Sequence, residues 1–432
     1  MQGAAMAATT LVRDPLLDEV VRRRVFPSGL TVYAVRKPEF SRSYATLATR
    51  YGSIDTALPG RGGAPLPDGI AHFLEHKAFE TPEGDAFDLF ASRGASANAF
   101  TSFGTTRYLF GTSSDYAENL STLLRTVFEL HVTDANVEKE KGIIGQEIGM
   151  YEDDADWRIY FGALQALYAR NPVRIDIAGT AKTIAGITPE LLRKVHAAYY
   201  HPRNMVLAAV SPEPESTTFR VVEREVEGRA YGKAPGERRP PPREPPRARR
   251  KRVEVALPVR RPRLLLAFKD SVPGEAGREL LRREIASAVA LDCLFGSSGS
   301  IFLDLYEQGL VDESFTCSYS AEPNFAYAMV GGEVDDVEKV RKVLDASIEA
   351  ARRRGIGSDD LERVRNKEIG DFARAFNSPD RIAQMLVGHH YRRTTVPQYR
   401  EELFKLTLAR VNRRLLDLLD PRVRCYSIVR PR

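Results

Sequence analysis

Two histidines and a glutamate stand close together in the segment GIAHFLEHKAFETPEG, residues 69–84 of this 432-residue chain. On a helix, positions i and i+4 lie on one face, so His72 and His76 can direct ring nitrogens at one ion, with Glu75 beside them. Neutral imidazoles suit Zn²⁺, and a catalytic zinc site takes three protein ligands and a water, whose proton the glutamate would accept. The alternative is a surface helix with two ordinary histidines, although chance gives this spacing only on the order of once in a hundred such sequences.

A third ligand is needed, and the later segment VEKEKGIIGQEIGMYEDD offers carboxylates on a helix. Glu140 and Glu147 are seven residues apart and therefore lie two turns apart on one helix face. Ile143 and Ile144 lie between them, which predicts that this face is buried. A carboxylate on a buried face is costly unless it is paired or bound to a metal. Glu147 is thus a candidate for either situation.

The elements that would position these residues follow a pattern that occurs twice. Strand-like alternation is found in LTVYAVRK, YATLATRYG and GTTRYLFGTS, and again in RPRLLLAFKD and FAYAMVGGEV. Both parts continue with two amphipathic helices, separated by a short break whose Asp residues can cap. Aligning QEIGMY with KEIGDF places Glu147 opposite Glu368. We interpret this as an internal duplication, with a coincidental match as the alternative.

A basic, proline-rich segment divides the chain. Residues 233–252 contain nine Lys or Arg and two Glu, so they contribute +7 to a chain whose net charge is +5, and they contain six of the 26 prolines. Such a segment cannot form part of a core, and we interpret it as a semi-rigid solvated linker. The alternative is a basic docking arm for an acidic partner. It has no aromatic residues of the kind that stack on bases, so no nucleic-acid partner is expected.

Cysteine usage and apolar runs restrict the compartment. Cys293, Cys317 and Cys425 are odd in number and widely spaced, which suits neither a disulfide framework nor a Cys zinc cluster. We therefore expect a reducing, cytoplasmic location. No apolar run approaches the roughly 20 residues of a membrane helix, and the N-terminus lacks the pattern of a secretory signal, so no membrane association is expected.

The sequence resembles the pitrilysin family of zinc metallopeptidases, the inverzincins, which includes insulin-degrading enzyme and the mitochondrial processing peptidase. GIAHFLEHKAFE is similar to that family's zinc helix nearly residue for residue. The resemblance continues through Asn98–Thr101, Thr106–Tyr108 and the segment DIAGTAKTIAGITPELLRKVHAAYYHPRNMVLAAV, and it covers most of residues 20–210. The second half is similar more weakly. A bacterial, two-domain subgroup similar to processing peptidases matches best.

The resemblance implies a zinc-dependent endopeptidase or oligopeptidase that hydrolyses small or unfolded peptides through a metal-activated water. One Zn²⁺ per chain would be held by His72, His76 and Glu147. Glu75 would be the general base and then the proton donor to the leaving amine. Glu140 would support catalysis by orienting a ligand.

The resemblance also implies a fold and a substrate strand. The fold class is α+β, with two similar domains, each a largely antiparallel β-sheet packed against α-helices. We predict a zinc domain over 1–232, the Pro/Arg-rich linker over 233–252 and a metal-less homologous domain over 253–432. Asn98, Ala99, Phe100 and Thr101 correspond to the strand that borders the substrate cleft, where an extended peptide could bind by edge pairing.

The second half departs from the pattern of active relatives. It has no His-x-x-Glu-His, and its adjacent His389 and His390 do not share a helix face, so no metal is expected there. Active relatives bring an Arg and a Tyr to the cleft from this half, but IFLDLYEQGLVDESF has Tyr306 where the Arg is expected and Asp312 near the expected Tyr. A dimer is therefore expected, either a homodimer or a heterodimer, and in a heterodimer a metal-less sister chain would supply the Arg and Tyr that complete the cleft. The alternative function is a catalytically weak subunit or scaffold of such a complex.

Overall fold

A computed structural model describes residues 10–14, 19–60, 62–234, 236, 242–270 and 274–432. The strands are β1 (Thr10–Asp14), β2 (Glu19–Val25), β3 (Thr31–Arg36), β4 (Ser43–Thr49), β5 (Glu80–Thr81), β6 (Gly84–Asp85), β7 (Ser96–Thr101), β8 (Thr106–Thr112), β9 (Met205–Ser211), β10 (Arg252–Leu257), β11 (Arg263–Asp270), β12 (Thr316–Glu322), β13 (Phe325–Glu333) and β14 (Arg424–Pro431). The helices are α1 (Ile70–Lys77), α2 (Ala86–Ala91), α3 (Tyr116–Phe128), α4 (Asp134–Asp153), α5 (Ala155–Leu167), α6 (Ala181–Ala185), α7 (Pro189–Tyr199), α8 (Glu215–Val222), α9 (Gly277–Phe295), α10 (Ser300–Glu307), α11 (Val337–Arg354), α12 (Ser358–Ala375), α13 (Pro379–Arg392), α14 (Val396–Phe404) and α15 (Leu408–Leu418).

Two sheets share one topology. The first has the order β1-β2-β3-β9-β4-β8-β7 and the second β10-β14-β11-β13-β12. In the last five strands of the first sheet, a parallel pair, β3 and β9, is followed by antiparallel neighbours. The second sheet repeats that order and those directions, beginning with the parallel pair β10 and β14. The predicted α+β class is confirmed, and the shared topology supports the internal duplication.

Alternation along the strands decides which layer each side chain joins. β9 is buried over its whole length because it is a central strand covered on both faces. Leu207 and Ala209 pack with α1, α3 and α7 in one core. Val206, Ala208 and Val210 point to the opposite face and pack in a second cluster. The first sheet is therefore the middle of three layers.

One helix of each half packs on the sheet of the other half. α5 follows the first sheet's α4 in sequence, yet its Phe161 and Leu164 pack with Ala267 and Met329 of the second sheet. α13 follows α12, yet its Ile382 packs on the first sheet in the cluster that contains Val206. The two helices occupy equivalent positions in the two repeats. The repeats are thus joined by reciprocal packing.

The predicted helix pairs are α3–α4 and α11–α12, but their second helices are not capped by the Asp residues of the breaks. The Thr133 hydroxyl accepts from the N–H of Asn136 and caps α4, and α12 follows Gly357 without a side-chain cap. The prediction that these Asp residues cap was wrong. Asp134 and Asp359 lie inside the first turns, where a negative charge favours the helix dipole.

Residues 235 and 237–241 of the predicted linker lie outside the described residues. Beyond them, the Glu244 carboxylate accepts hydrogen bonds of 2.7–2.8 Å from the backbone N–H groups of residues 169–171. Lys269 Nζ donates to the same carboxylate at 3.0 Å. This end of the segment is fixed to both halves. The boundaries 1–232, 233–252 and 253–432 stay a prediction.

The stretch Gly277–Glu307, which spans α9 and α10, is long and apolar enough to cross a membrane by length and composition, although the sequence predicted no such stretch. Of its most apolar window, 67% is buried inside the protein. Val289, Leu294 and Leu305 pack in the core beneath the second sheet. In this fold the stretch is a core element.

Candidate metal centre

His72 and His76 lie on α1, which is buried instead of lying at the surface. The helix starts after Gly69, whose φ of 91° lies in the left-handed region that favours glycine. A Cβ at this position would lie 2.4 Å from the carbonyl oxygen of Ala178. Phe73, which follows His72 in sequence, is fully buried in the core. The alternative prediction, that this segment is a surface helix with two ordinary histidines, is therefore wrong.

Glu147 on α4 completes a three-residue cluster. Its Oε2 atom lies 3.7 Å from His72 Nε2 and 3.6 Å from His76 Nε2. All three donor atoms lie within 4.8 Å of one another. Two ligands bonded to a tetrahedral zinc ion at about 2.1 Å lie about 3.4 Å apart, so this spacing suits the ion after a small adjustment. The structure brings the three predicted ligands together, and two imidazoles with one carboxylate are a known zinc peptidase donor set.

The protonation state of His72 suits a cation. Burial lowers the pKa of His72 to about 4, and the charge of His76 adds to this, so the ring is neutral near pH 7. Neutral imidazole is the form that binds metal. Both Nε2 atoms face the Glu147 carboxylate at distances too long for a hydrogen bond. Lone pairs and a carboxylate that face one another in a buried place favour a positive ion between them.

Glu140 lies behind His76 and directs its ring. The His76 Nδ1 atom lies 3.0 Å from Glu140 Oε1, so Nδ1–H donates there and the Nε2 lone pair faces the cluster. Burial lowers the pKa of His76, but the hydrogen bond and charge of Glu140 outweigh burial and raise it overall. Burial raises the pKa of Glu140, but His76 and Lys77 outweigh burial and lower it. Glu140 therefore contacts a ligand, and not the open side of the cluster.

Glu75 lies beside the cluster in a restricted environment. It is 8% exposed, and the Thr101 hydroxyl donates to its Oε2 at 2.6 Å. Burial raises the pKa of Glu75, while the hydrogen bond from Thr101 opposes that change. A carboxylate with a raised pKa and a fixed direction suits a group that accepts and returns a proton. Thr101, predicted as a substrate residue, contacts the predicted base itself.

Tyr151, Trp157 and Asp176 were not singled out from the sequence. The Tyr151 hydroxyl donates to Glu147 Oε1, which leaves Oε2 directed at the histidines. The Tyr151 ring stacks on Trp157 at 4.0 Å between centroids, and Trp157 Nε1 donates to Asp176 Oδ2 at 2.5 Å. For Tyr151 the sequence did contain a signal: it lies four residues after Glu147 and thus on the same helix face, within reach of that carboxylate.

The predicted substrate residues lie on β7, which is an edge strand of the first sheet. Ala99 and Thr101 face the side of α1, whereas Asn98 and Phe100 point to the other face. The Asn98 side chain accepts from the N–H of Ala99 at 2.8 Å, so it covers one donor of the free edge. The four residues therefore do not form one patch. What they share is the unpaired edge of the strand.

The polar residues of the second half do not repeat the cluster. His389 Nδ1 lies 2.9 Å from Thr394 Oγ1, and His390 Nδ1 lies 3.2 Å from the Tyr33 hydroxyl. Glu368 lies on α12, where the Tyr399 hydroxyl bonds to it. Within the described residues, the three-ligand group of the first half is the only one of its kind.

The residues that replace the family's Arg and Tyr lie away from the cluster. Tyr306 is 47% exposed on α10, and its ring stacks on Phe302. Asp312 forms an ion pair with Arg261. Neither side chain contacts His72, His76 or Glu147. Ile143 of α4 is 44% exposed, although its helix face was predicted to be buried; of the two isoleucines, only Ile144 enters the core.

Two family descriptions match the sequence. "Insulinase (Peptidase family M16)" matches residues 64–181, which include α1 and α4. "Peptidase M16 inactive domain" matches residues 186–368. The first match thus contains the three-ligand cluster, and the second begins before β9 and ends at Glu368.

Relatives along most of the chain have related names. A protein of Bacillus subtilis (strain 168) named "Uncharacterized zinc protease YmfH" is 40% identical over 380 residues, which are 87% of this chain and 88% of that protein. "Uncharacterized zinc protease YmxG" of the same organism is 27% identical over 82% of this chain and 86% of its own length.

Solved structures show the same architecture. The crystal structure of an M16-like peptidase from Alicyclobacillus acidocaldarius covers 100% of both chains with a TM-score of 0.91 and 35% identity. Pitrilysin, at 15% identity, covers 98% of this chain and 46% of its own with a TM-score of 0.72, and shows the fold alone.

Proposed function

Since the chain belongs to the M16 family of peptidases, we propose that it is a zinc-dependent endopeptidase or oligopeptidase that hydrolyses small or unfolded peptides. The observation that carries the proposal is the convergence of His72 Nε2, His76 Nε2 and Glu147 Oε2 beside a buried Glu75. These three residues would hold one Zn²⁺ per chain. When bound, the ion lowers the pKa of a water ligand and polarises a carbonyl group.

The protein's own groups then have separate tasks. Glu75 Oε1 would accept the proton of the attacking water, because the Thr101 hydroxyl holds Oε2. The same carboxyl returns a proton to the leaving amine. Glu140 keeps His76 in the tautomer whose Nε2 faces the cluster. Tyr151 holds Glu147 in one direction.

A peptide would bind along the edge of β7 next to this cluster. The strand has an unpaired side, and backbone pairing there fixes the direction of a peptide with little demand on its sequence. Asn98 would have to release the N–H of Ala99 for the pairing to form. This arrangement suits peptides that are already extended, which small and unfolded ones are.

Replacing Glu75 by Gln tests the assignment of the base. The variant should keep one zinc per chain, because the ligands stay, but should lower kcat by about 10²–10⁴-fold because the proton acceptor is gone. Metal analysis and cleavage of a quenched fluorescent peptide measure the two properties. The control is Glu138→Gln on the exposed side of α4, which should change neither. Undiminished turnover in Glu75→Gln would remove this residue from its role.

A catalytically weak subunit of a heterodimer is the second candidate. The observation that favours it is the exposed Tyr306 and the ion-paired Asp312 at the positions where active relatives have Arg and Tyr. The intact ligand set and Glu75 favour the peptidase, because a scaffold does not need them.

A partner experiment separates the two candidates. Purified alone, the chain should cleave peptides weakly, and its activity should rise when a metal-less sister chain that carries the Arg and Tyr is added. Activity titrated against partner concentration gives the stoichiometry. A fully active homodimer would contradict the heterodimer proposal while supporting the peptidase.

We also propose the cytoplasm as the compartment. The three cysteines are free, and Cys293 and Cys425 are buried. A reducing environment keeps such thiols unpaired. Fractionation of cells that express the full chain would test the location.

A further inference from the structure

A cavity of about 490 Å³ lies between the two halves, away from the zinc cluster. The second half contributes α9, α12, α13 and the turn after β12, and the first half contributes the turn after β7 and the start of β8. By the shared topology, α9 and α12 correspond to α1 and α4. The cavity is therefore the counterpart, in the second repeat, of the region that holds the cluster in the first.

The cavity lies on the other face of the first sheet from α1. Tyr108 of β8 packs in the core with α1, and the next side chain, Arg107, points to the opposite face, where it donates to Gln384 of α13. A molecule in the cavity and a peptide at the zinc cluster are thus separated by the sheet. Their binding can be measured independently.

One carboxylate of the cavity already has its counter-charge. Arg392 Nη1 lies 2.9 and 3.0 Å from the two oxygens of Glu284 on α9. In this repeat the Arg392 guanidinium neutralises the Glu284 carboxylate, so that carboxylate does not need a metal ion as its counter-charge. The other charged side chains of the cavity do not belong to this ion pair.

Opposite charges face one another in the cavity without a direct ion pair. Arg107 is half-buried, and burial lowers its pKa while the charge of Glu322 opposes that change; among the described residues its guanidinium donates only to the neutral side chains of Thr105 and Gln384. Glu322, the last residue of β12, forms no ion pair within the described part of the chain, and Glu368, which lies near Lys367, is hydrogen-bonded only to the Tyr399 hydroxyl there. Charged groups that are partly removed from water are stabilised when groups of opposite sign bind them.

We propose that this cavity binds a small zwitterion, a free amino acid or a short unblocked peptide. Its carboxylate would bind to Arg107, and its ammonium group would bind between Glu322 and Glu368. Tyr399, whose ring packs on Phe372, would offer an apolar wall for a side chain. A cavity of this volume is within the range that small ligands occupy. The proposal does not depend on peptidase activity.

Calorimetric titration of the full chain tests the proposal. The probes are alanine, trialanine, N-acetyl-trialanine and trialanine amide, titrated into the Glu75→Gln variant so that nothing is cleaved. One unblocked probe should bind with one site per chain, and each blocked form of trialanine should bind at least about tenfold more weakly, the loss expected when one charge-assisted bond is removed. Binding of alanine identifies a free amino acid as the ligand, and binding of trialanine alone identifies a peptide.

Variants locate the site. Arg107→Gln and Glu322→Gln should each weaken binding at least about tenfold, and Arg107→Lys, which keeps the charge, should weaken it less. Arg354→Gln at the exposed end of α11 is the matched control and should change nothing. His72→Ala should leave binding intact even if it abolishes zinc binding, so failure of the proposed peptidase is distinguishable from failure of this site.

Three results would overturn the proposal. The first is no binding of alanine or trialanine at millimolar concentration. The second is equal binding of a blocked form, which would mean that only one charge is recognised. The third is binding that His72→Ala removes and Arg107→Gln retains, which would place the probe at the zinc cluster. Thermal melting of each variant shows that it is folded.

Discussion

At the scale of single residues, three of the four groups of the candidate site are held by another side chain, whereas His72 Nδ1 has no hydrogen-bond partner among the described residues. Glu140 fixes the ring of His76, Thr101 fixes Glu75, and Tyr151 fixes Glu147. The helical period alone predicted the pairing of His72 with His76, whereas Glu147 as the third proposed ligand was implied by the family resemblance. Their supports come from two elements, α4 and β7. Spacing along the chain does not show which of many polar residues those elements bring near.

Removing the Tyr151 hydroxyl should weaken the metal site. Tyr151→Phe leaves Glu147 Oε1 without its donor, so the carboxylate loses its fixed direction, and the Kd for Zn²⁺ should rise about tenfold or more. Competition with a chromophoric chelator measures this without any activity assay. Tyr160→Phe, whose hydroxyl bonds to Tyr327 away from the site, is the control. Equal zinc affinity in Tyr151→Phe would show that the bond has no positioning role.

At the scale of elements, the alternating strands and the helix pairs were predictable because local periodicity determines them. The residues that cap the helices were harder to predict. The break before α4 contains both Thr133 and Asp134, and only the backbone conformation decides that the threonine becomes the cap. Burial of α4 was predicted on too wide a face. The helix buries a stripe through Val137, Ile144 and Ile148, and Ile143 lies just outside it.

The backbone conformation at the start of α1 depends on Gly69, its N-cap residue. Gly69→Ala would place a Cβ 2.4 Å from a backbone oxygen in a left-handed conformation that alone costs about 1–2 kcal/mol. The variant should lose at least that much stability in urea unfolding and should bind zinc more weakly, because α1 shifts. Gly142→Ala, where an added Cβ meets open space inside α4, should instead gain about 0.5–1 kcal/mol. Unchanged stability in Gly69→Ala would mean that the loop relaxes freely.

At the scale of the whole molecule, the sequence indicated two similar halves but not their reciprocal packing. α5 and α13 have apolar faces that any sheet could cover. Which sheet they cover depends on the relative placement of the halves, and no local pattern encodes it. The boundary at 233–252 was set by composition. It therefore separates two halves that each pack a helix on the sheet of the other.

Interlocked layers predict one cooperative unit. Leu386→Ala on α13 and Leu344→Ala in the core of the second half each remove a buried side chain and should cost about 2–5 kcal/mol. Both should speed hydrogen exchange of β9 in the first sheet and of β11 in the second to a similar extent. If Leu344→Ala affects β11 and leaves β9 protected, the halves unfold independently and this prediction is wrong.

The reciprocal helices also set an order for biosynthesis. The strand β9 completes the first sheet at Ser211, but α13, which covers the rear of that sheet, begins only at Pro379, 168 residues later. At about 5–20 residues per second, the ribosome needs roughly 10–30 s to supply it. During that interval the apolar rear of the nascent sheet is open to chaperones or to aggregation. A chain released early, by a stop codon before residue 379, would carry every proposed zinc ligand and still expose that surface.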